Sequence, residues 1–110
     1  MRLPTITHLQ FLVLQVLGGV EKSGRELRKR LSAEGERKSL AAFYQMMARM
    51  EDAHLLQGSY RRVELEDQAV QERWYKITGS GIRAWQDARD FYIAHATDGL
   101  KGGGTCISGI

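Results

Sequence analysis

The chain has 110 residues, 43% hydrophobic and 26% charged, enough for one globular domain and too few for two. Its net charge of +3, with a pI near 9.2, permits an acidic partner such as nucleic acid without demanding one. A single cysteine, Cys106, excludes an intrachain disulfide and suits a reducing, cytoplasmic setting.

Arg2 ahead of "LQFLVLQVLGG" has the outline of a secretory signal. Gln10 and Gln15 interrupt the apolar run, however, and no small-residue cleavage motif precedes Glu21. Nothing approaches the ~20 apolar residues of a membrane span. Thr7 to Leu17 reads instead as a first helix, capped by Thr5 or Thr7 and stopped at Gly18–Gly19. Leu9, Phe11, Leu12, Val13, Leu14, Val16 and Leu17 surround it almost completely. A helix apolar all round is covered on more than one side, which in so small a domain hints at a second chain.

A second helix runs from Ser23 to about Ala33, with Ser23 and Glu26 spaced as a capping box and Gly35 placed to end it. Leu27 and Leu31 mark its buried face. A third runs from Ser39 to about Asp52. At about 100° per residue, Leu40, Phe43, Met47 and Met50 share one side, with Met46 at its edge. Ala41, Ala42, Gln45, Ala48, Arg49 and Asp52 share the other. "QGSYRRVELEDQAVQERWYKI" then reads as two strands, with polar "EDQAVQE" as a fairly long hairpin tip. Thr78 caps a last helix at about 79–96. Residues 98–110, "DGLKGGGTCISGI", show no apolar period and read as a flexible Gly-rich tail, outside a domain of residues 1–97.

Helix, helix, helix, hairpin is the order of a winged helix. The expected fold is thus mainly α with a small β-hairpin (α+β), a winged helix-turn-helix followed by a further helix. The second and third helices form the helix-turn-helix, the third being the element that enters a DNA major groove. Gln45 and Arg49 are its candidate base or phosphate contacts, and Ala41 and Ala42 allow close approach. Lys38 and Ser39 stand at its positive N-terminal end, where a phosphate is favoured, although Ser39 serves equally as a plain N-cap. Tyr44 lies at the border of the core, where it packs first and its hydroxyl is a candidate phosphate contact. Seven basic and four acidic residues lie between Glu21 and Lys38, so this segment alone carries the net charge of +3. Arg61 and Arg62 add to it on the wing.

The same stretches resemble the PadR-like transcriptional regulators. "LQFLVLQVL", "SGRELRKRL", "FYQMMARMEDAHLL" and "RWYKITGSGIRAW" follow in the family's order, over roughly Thr7 to Tyr92. The resemblance implies a dimeric winged-helix regulator, usually a repressor, whose last helix dimerises. Arg25 stands where the family usually has Tyr after the glycine, here Gly24. His54 stands where it usually has Gly; a glycine there would allow a left-handed backbone, which His can adopt at some cost. Glu64, Glu66, Asp67 and Glu72 make the wing acidic, which speaks against a phosphate contact there.

On the last helix Ile82, Trp85, Arg89 and Tyr92 form one stripe, and Ala84, Ala88, Phe91 and His95 another. Two stripes suit two partners, the chain's own domain and a second subunit. Some relatives open an aromatic pocket there for planar small molecules, which makes Trp85 a candidate ligand contact. No catalytic set, metal-ligand spacing or phosphate-cradling glycine loop is present, so neither enzyme nor cofactor is implied. A repressor binding double-stranded DNA as a homodimer is the expected function. The alternatives are a winged-helix protein-interaction module and a small-molecule sensor built around Trp85.

Overall fold

In a computed structural model, which describes residues 3–103, four helices and the hairpin follow the expected order, and an unexpected two-residue strand stands between the first two helices. They are α1 (His8–Leu17), β1 (Lys22–Ser23), α2 (Gly24–Ala33), α3 (Leu40–Asp52), β2 (Leu56–Leu65), β3 (Gln68–Ile77) and α4 (Gly79–Gly103). The strands form one antiparallel sheet in the order β1-β3-β2. The fold is thus α+β, a winged helix with an added C-terminal helix. None of the described helices is long and apolar enough to cross a membrane.

Each of the first three helices starts at a residue whose oxygen accepts an otherwise free backbone N–H. Thr7 and Gln10 close a full capping box on α1, at 3.1 and 2.9 Å. Ser39 accepts the Ala42 N–H at 3.1 Å on α3. Ser23 accepts the Glu26 N–H at 3.1 Å, but the reciprocal half of the expected box is missing. The backbone of Ser23 belongs to β1, paired with Trp74, and the Glu26 carboxylate turns to Arg30 at 3.0 Å. The short strand β1, invisible as a two-residue segment, therefore displaces the box.

Both α2 and α3 end in a left-handed residue whose neighbours return to the last turn. After α2, Gly35 (φ 91°) donates to the Ser32 carbonyl and Glu36 to Leu31. After α3, His54 (φ 62°) donates to Glu51 and Leu55 to Met50. His54 thus takes the conformation glycine prefers. This turn is also a joint. Thr78 Oγ1 donates to the His54 carbonyl at 2.5 Å and accepts the Gly81 N–H at 3.0 Å, while Thr78 N–H reaches the Leu55 carbonyl at 3.2 Å. One threonine both caps α4 and docks it on the end of α3.

The core collects Val13, Leu14 and Leu17 from α1, Leu27 and Leu31 from α2, and Phe43, Met46, Met47 and Met50 from α3, closed by Leu55, Leu56, Tyr75 and Ala88. Burying each large apolar side chain contributes about 1.5–3 kcal/mol. Leu40, expected on the buried side, is 54% exposed. It is the first residue of α3 and projects beyond the end of the core.

The hairpin differs from expectation at its tip. Leu65 pairs with Gln68, leaving a two-residue turn at Glu66 and Asp67, both at positive φ (51° and 65°), as the turn type matching strand twist requires. "EDQAVQE" is mostly strand, because its polar residues sit on a two-sided solvated ribbon where alternation carries no apolar signal. Helix α4 likewise passes its expected end near 96 and continues to Gly103. Adding a residue to a formed helix gains a hydrogen bond, and Gly99, Gly102 and Gly103 weaken that gain without a proline's veto. Residues 98–103 of the expected tail are therefore helical, and 104–110 lie outside the described residues.

Candidate nucleic-acid interface

Helix α3 divides along its length. Phe43, Met46, Met47 and Met50 are buried, whereas Ala41, Gln45, Ala48 and Arg49 are exposed. The divide follows from the sequence spacing, since the core takes one stripe and leaves the other to solvent. Ala42 is half-buried at the border. Lys38 and Ser39 are exposed at the helix start, where the N–H groups ahead of the first helical bond concentrate positive potential. Arg28 and Ser32 of α2 flank the same depression as Lys38. The structure thus brings Lys38, Ser39, Ala41, Gln45 and Arg49 onto one continuous surface.

Tyr44 is half-buried and packs edge-on against Phe43, ring centroids 5.0 Å apart. It leans on Gly24, where an added Cβ would lie 2.6 Å from its hydroxyl. That glycine lets the start of α2 approach α3. Tyr44 also borders an open cleft of about 580 Å³ between α3 and the wing, with Ala48, Glu51, Tyr60, Gln71 and Arg73.

The floor of the cleft fastens the wing to α3. Arg73 donates to Glu51 at 2.6 Å and lies 4.6 Å from the centre of the Tyr60 ring. A Cβ at Gly58 would strike both members of the ion pair, so this glycine makes room for it. Burial disfavours charge on Arg73, but the Glu51 carboxylate outweighs it and raises the pKa. Beneath them the Tyr75 hydroxyl is pushed up to about 12, first by burial, then by the Glu51 charge and Tyr44. This joint was not foreseen. Its signal in the sequence, a Gly in a strand with Glu and Arg far apart, is too common to read.

Arg61 and Arg62, adjacent in β2, point to opposite faces of the ribbon. Arg62 is exposed and pairs across the ladder with Gln71, which borders the cleft. Arg61 turns away, bonds Glu21 and lies 4.3 Å above the Trp74 ring. Glu72, expected at the acidic tip, sits lower and bonds Arg25 of α2 at 2.6 Å. The tip itself keeps Glu64, Glu66 and Asp67.

On α4 the stripe expected to meet a second subunit first meets α1. Trp85 stacks parallel on Phe11, centroids 6.1 Å apart, and its Nε1 donates to Gln15 Oε1 at 2.8 Å. Tyr92 packs edge-on against Phe11 and His8, at 5.3 and 6.0 Å. Arg89 lies 5.0 Å over Trp85 and bonds Asp90. Trp85, Arg89 and Tyr92 are all half-buried. Ile82 is 43% exposed and Ile93, outside the expected stripe, 60%. An apolar depression of about 340 Å³ lies beside Trp85 and Ile82, with Leu14 and Ile77.

No protein-family model matches the sequence, and no curated protein matches it. Solved structures match the fold. A PadR-like transcriptional regulator from Bacillus cereus strain ATCC 14579 is 20% identical over 88% of this chain and 92% of its own, with a TM-score of 0.72. A PadR family regulator from Clostridium difficile R20291 is 16% identical over 89% and 100%, with a TM-score of 0.75. One from Eggerthella lenta DSM 2243 is 23% identical over 88% and 82%, with a TM-score of 0.71. The chain therefore has the winged-helix fold of the PadR-like regulators.

Proposed function

We propose that the chain is a cytoplasmic DNA-binding transcriptional regulator, a repressor that occupies a pseudo-palindromic operator as a homodimer. One observation carries the reading: the outer face of α3, with Gln45 and Arg49 among Ala41 and Ala48, is left exposed beside the most basic segment of the chain. Long polar side chains among alanines suit a groove floor, where base edges are read within about 3 Å and bulk is excluded. The shared fold with solved PadR-like transcriptional regulators supports it. The exposed Ile82 and Ile93 on α4 support the homodimer. A two-fold dimer sets the half-sites roughly 10 base pairs apart, or a multiple of that.

Selection of bound duplexes from a random pool, followed by salt titration of the winner, tests the reading. A palindromic consensus, with affinity falling steeply as salt rises, is expected. No enrichment would move the protein-interaction alternative ahead, for which the acidic wing tip speaks.

A second reading rests on the depression beside Trp85. Its apolar lining suits a planar apolar effector that alters DNA affinity from the α1–α4 seam. Quenching of tryptophan fluorescence by planar compounds, lost in Trp85→Phe while Trp74 remains, tests it.

A further inference from the structure

Four charged residues gather where the wing leaves the body of the domain. Arg25 bonds Glu72, Arg61 bonds Glu21, and Arg61 stands directly across the ladder from Glu72. The quartet is neutral and ties three elements together: the segment entering β1, the start of α2, and the wing. Through Arg25 it also adjoins the surface proposed for DNA, since Arg25 follows Gly24, which touches Tyr44 of α3. Glu72 and Arg61 share the face of the ribbon opposite the cleft. The partners are unequally placed. The Arg25 side chain is 62% exposed, whereas that of Glu72 is 13% exposed. Arg25 can therefore swing outward, but Glu72 cannot follow and would be left nearly buried without its cation, an unfavourable state.

We propose that Arg25 and Arg61 are reserve phosphate contacts whose hold on DNA is set by competition with Glu72 and Glu21. The inference rests on the DNA-binding reading above. A phosphate approaching the start of α2 offers Arg25 a second anionic partner of similar geometry. Transfer gains the phosphate contact and releases a counterion from the duplex, but strands Glu72. The two carboxylates thus act as a brake. They weaken binding to DNA of any sequence, leaving discrimination to α3. The same competition explains how an acidic wing base can flank a DNA surface. Its carboxylates are not aimed at phosphate but spent against the chain's own arginines.

The test uses the full-length chain and a labelled duplex of random sequence, titrated at several salt concentrations. Wild type is compared with Glu72→Gln, Glu21→Gln, Arg25→Ala and the double variant Arg25→Ala/Glu72→Gln. Glu64→Gln is the control. It removes the same charge from the same wing, but Glu64 forms no ion pair among the described residues. Glu72→Gln should tighten binding roughly three- to tenfold at low salt. It should also steepen the slope of log affinity against log salt by up to about 0.9. Glu64→Gln should do markedly less, and the gain from Glu72→Gln should vanish when Arg25 is Ala. Should Glu72→Gln not fold, Glu21→Gln makes the same test on the more exposed pair. Equal gains from Glu64→Gln and Glu72→Gln, or a gain that survives Arg25→Ala, would overturn the inference, since the carboxylate would then act through net charge alone. If wild type binds and both carboxylate variants match it, the inference falls and the DNA reading stands. If neither wild type nor any variant binds this duplex or a selected one, both fall together.

Discussion

Gly81→Ala should damage the joint between the wing and α4. A Cβ at this position would overlap the Leu55 carbonyl oxygen and lie 2.8 Å from Ile77 Cγ1. The Ile77 side chain can yield, but the Leu55 peptide cannot. Its N–H is bonded to the Met50 carbonyl at 2.9 Å, and its carbonyl accepts from Thr78 at 3.2 Å. Relief must come from moving the first turn of α4, which breaks both the Thr78 cap and the Leu55–Thr78 bond. Overpacking of this kind costs about 1–3 kcal/mol. The lost cap and hydrogen bond add about 1 kcal/mol each. Alanine's better helix propensity returns about 0.5–1 kcal/mol. The net loss is about 2–4 kcal/mol, or a fall in Tm of roughly 8–16 °C for a domain of this size. Gly24→Ala is the internal control. There the added Cβ meets only the tip of the Tyr44 ring, which can shift, so the loss should stay below about 1 kcal/mol. Thermal and urea melts followed by circular dichroism decide the matter. If Gly81→Ala melts within about 2 °C of wild type, or Gly24→Ala proves the worse of the two, the reasoning about the immobile carbonyl is wrong.

His54→Gly should stabilise the protein by up to about 1 kcal/mol, since relief of the left-handed backbone outweighs glycine's entropy in the unfolded chain; a lower urea midpoint would contradict this. Stability should be flat in pH below 10 on account of Tyr75, because folded and unfolded hydroxyls are both protonated there. It should fall by roughly 2–3 kcal/mol between pH 10 and about 12, where the unfolded chain ionises and the fold holds Tyr75 neutral; Tyr75→Phe should abolish that part of the fall in alkaline urea melts. Gln45→Ala should relax preference at one position per half-site of the selected DNA, by about 1–3 kcal/mol if the contact is bidentate. Lys38→Ala should instead weaken binding to all sequences alike and flatten the salt slope; variants that fold and bind like wild type would remove α3 as the reading element. Ile93→Asp, at a 60% exposed position, should leave the fold intact but give a monomer in sedimentation at micromolar concentration, where wild type should sediment as a dimer; a wild-type monomer would count against the proposed homodimer.

Much of the architecture was legible from local chemistry. Thr7, Ser23 and Ser39 mark helix starts because a hydroxyl in that position satisfies a free N–H without help from distant residues. Gly35 marks a helix end for the corresponding reason at the carbonyls, whereas the turn at His54 is indicated only by the resemblance to the PadR-like regulators. The buried face of α3 follows from the spacing of Phe43, Met47 and Met50. Where local chemistry is silent, reading failed. Leu40 satisfies the helical period but lies past the edge of the core. The hairpin tip lacks the Asn-Gly or Asp-Gly pair that announces a tight turn, so Glu66 and Asp67 read as loop.

The sequence by itself therefore determined the order and type of the main elements, the winged-helix class and the two-sidedness of α3, since each depends on backbone hydrogen bonds and apolar periods within a few residues. Only the tertiary structure decided which charges are free. Arg61 and Arg62 are adjacent in sequence, yet one is bound to Glu21 and the other faces the cleft side. Arg25 meets Glu72 across 47 positions of chain, and Trp85 meets Gln15 across 70. Such pairings depend on how sheet and helices pack, and no local pattern encodes them, because Coulomb and stacking forces act through space while periodicity acts along the chain.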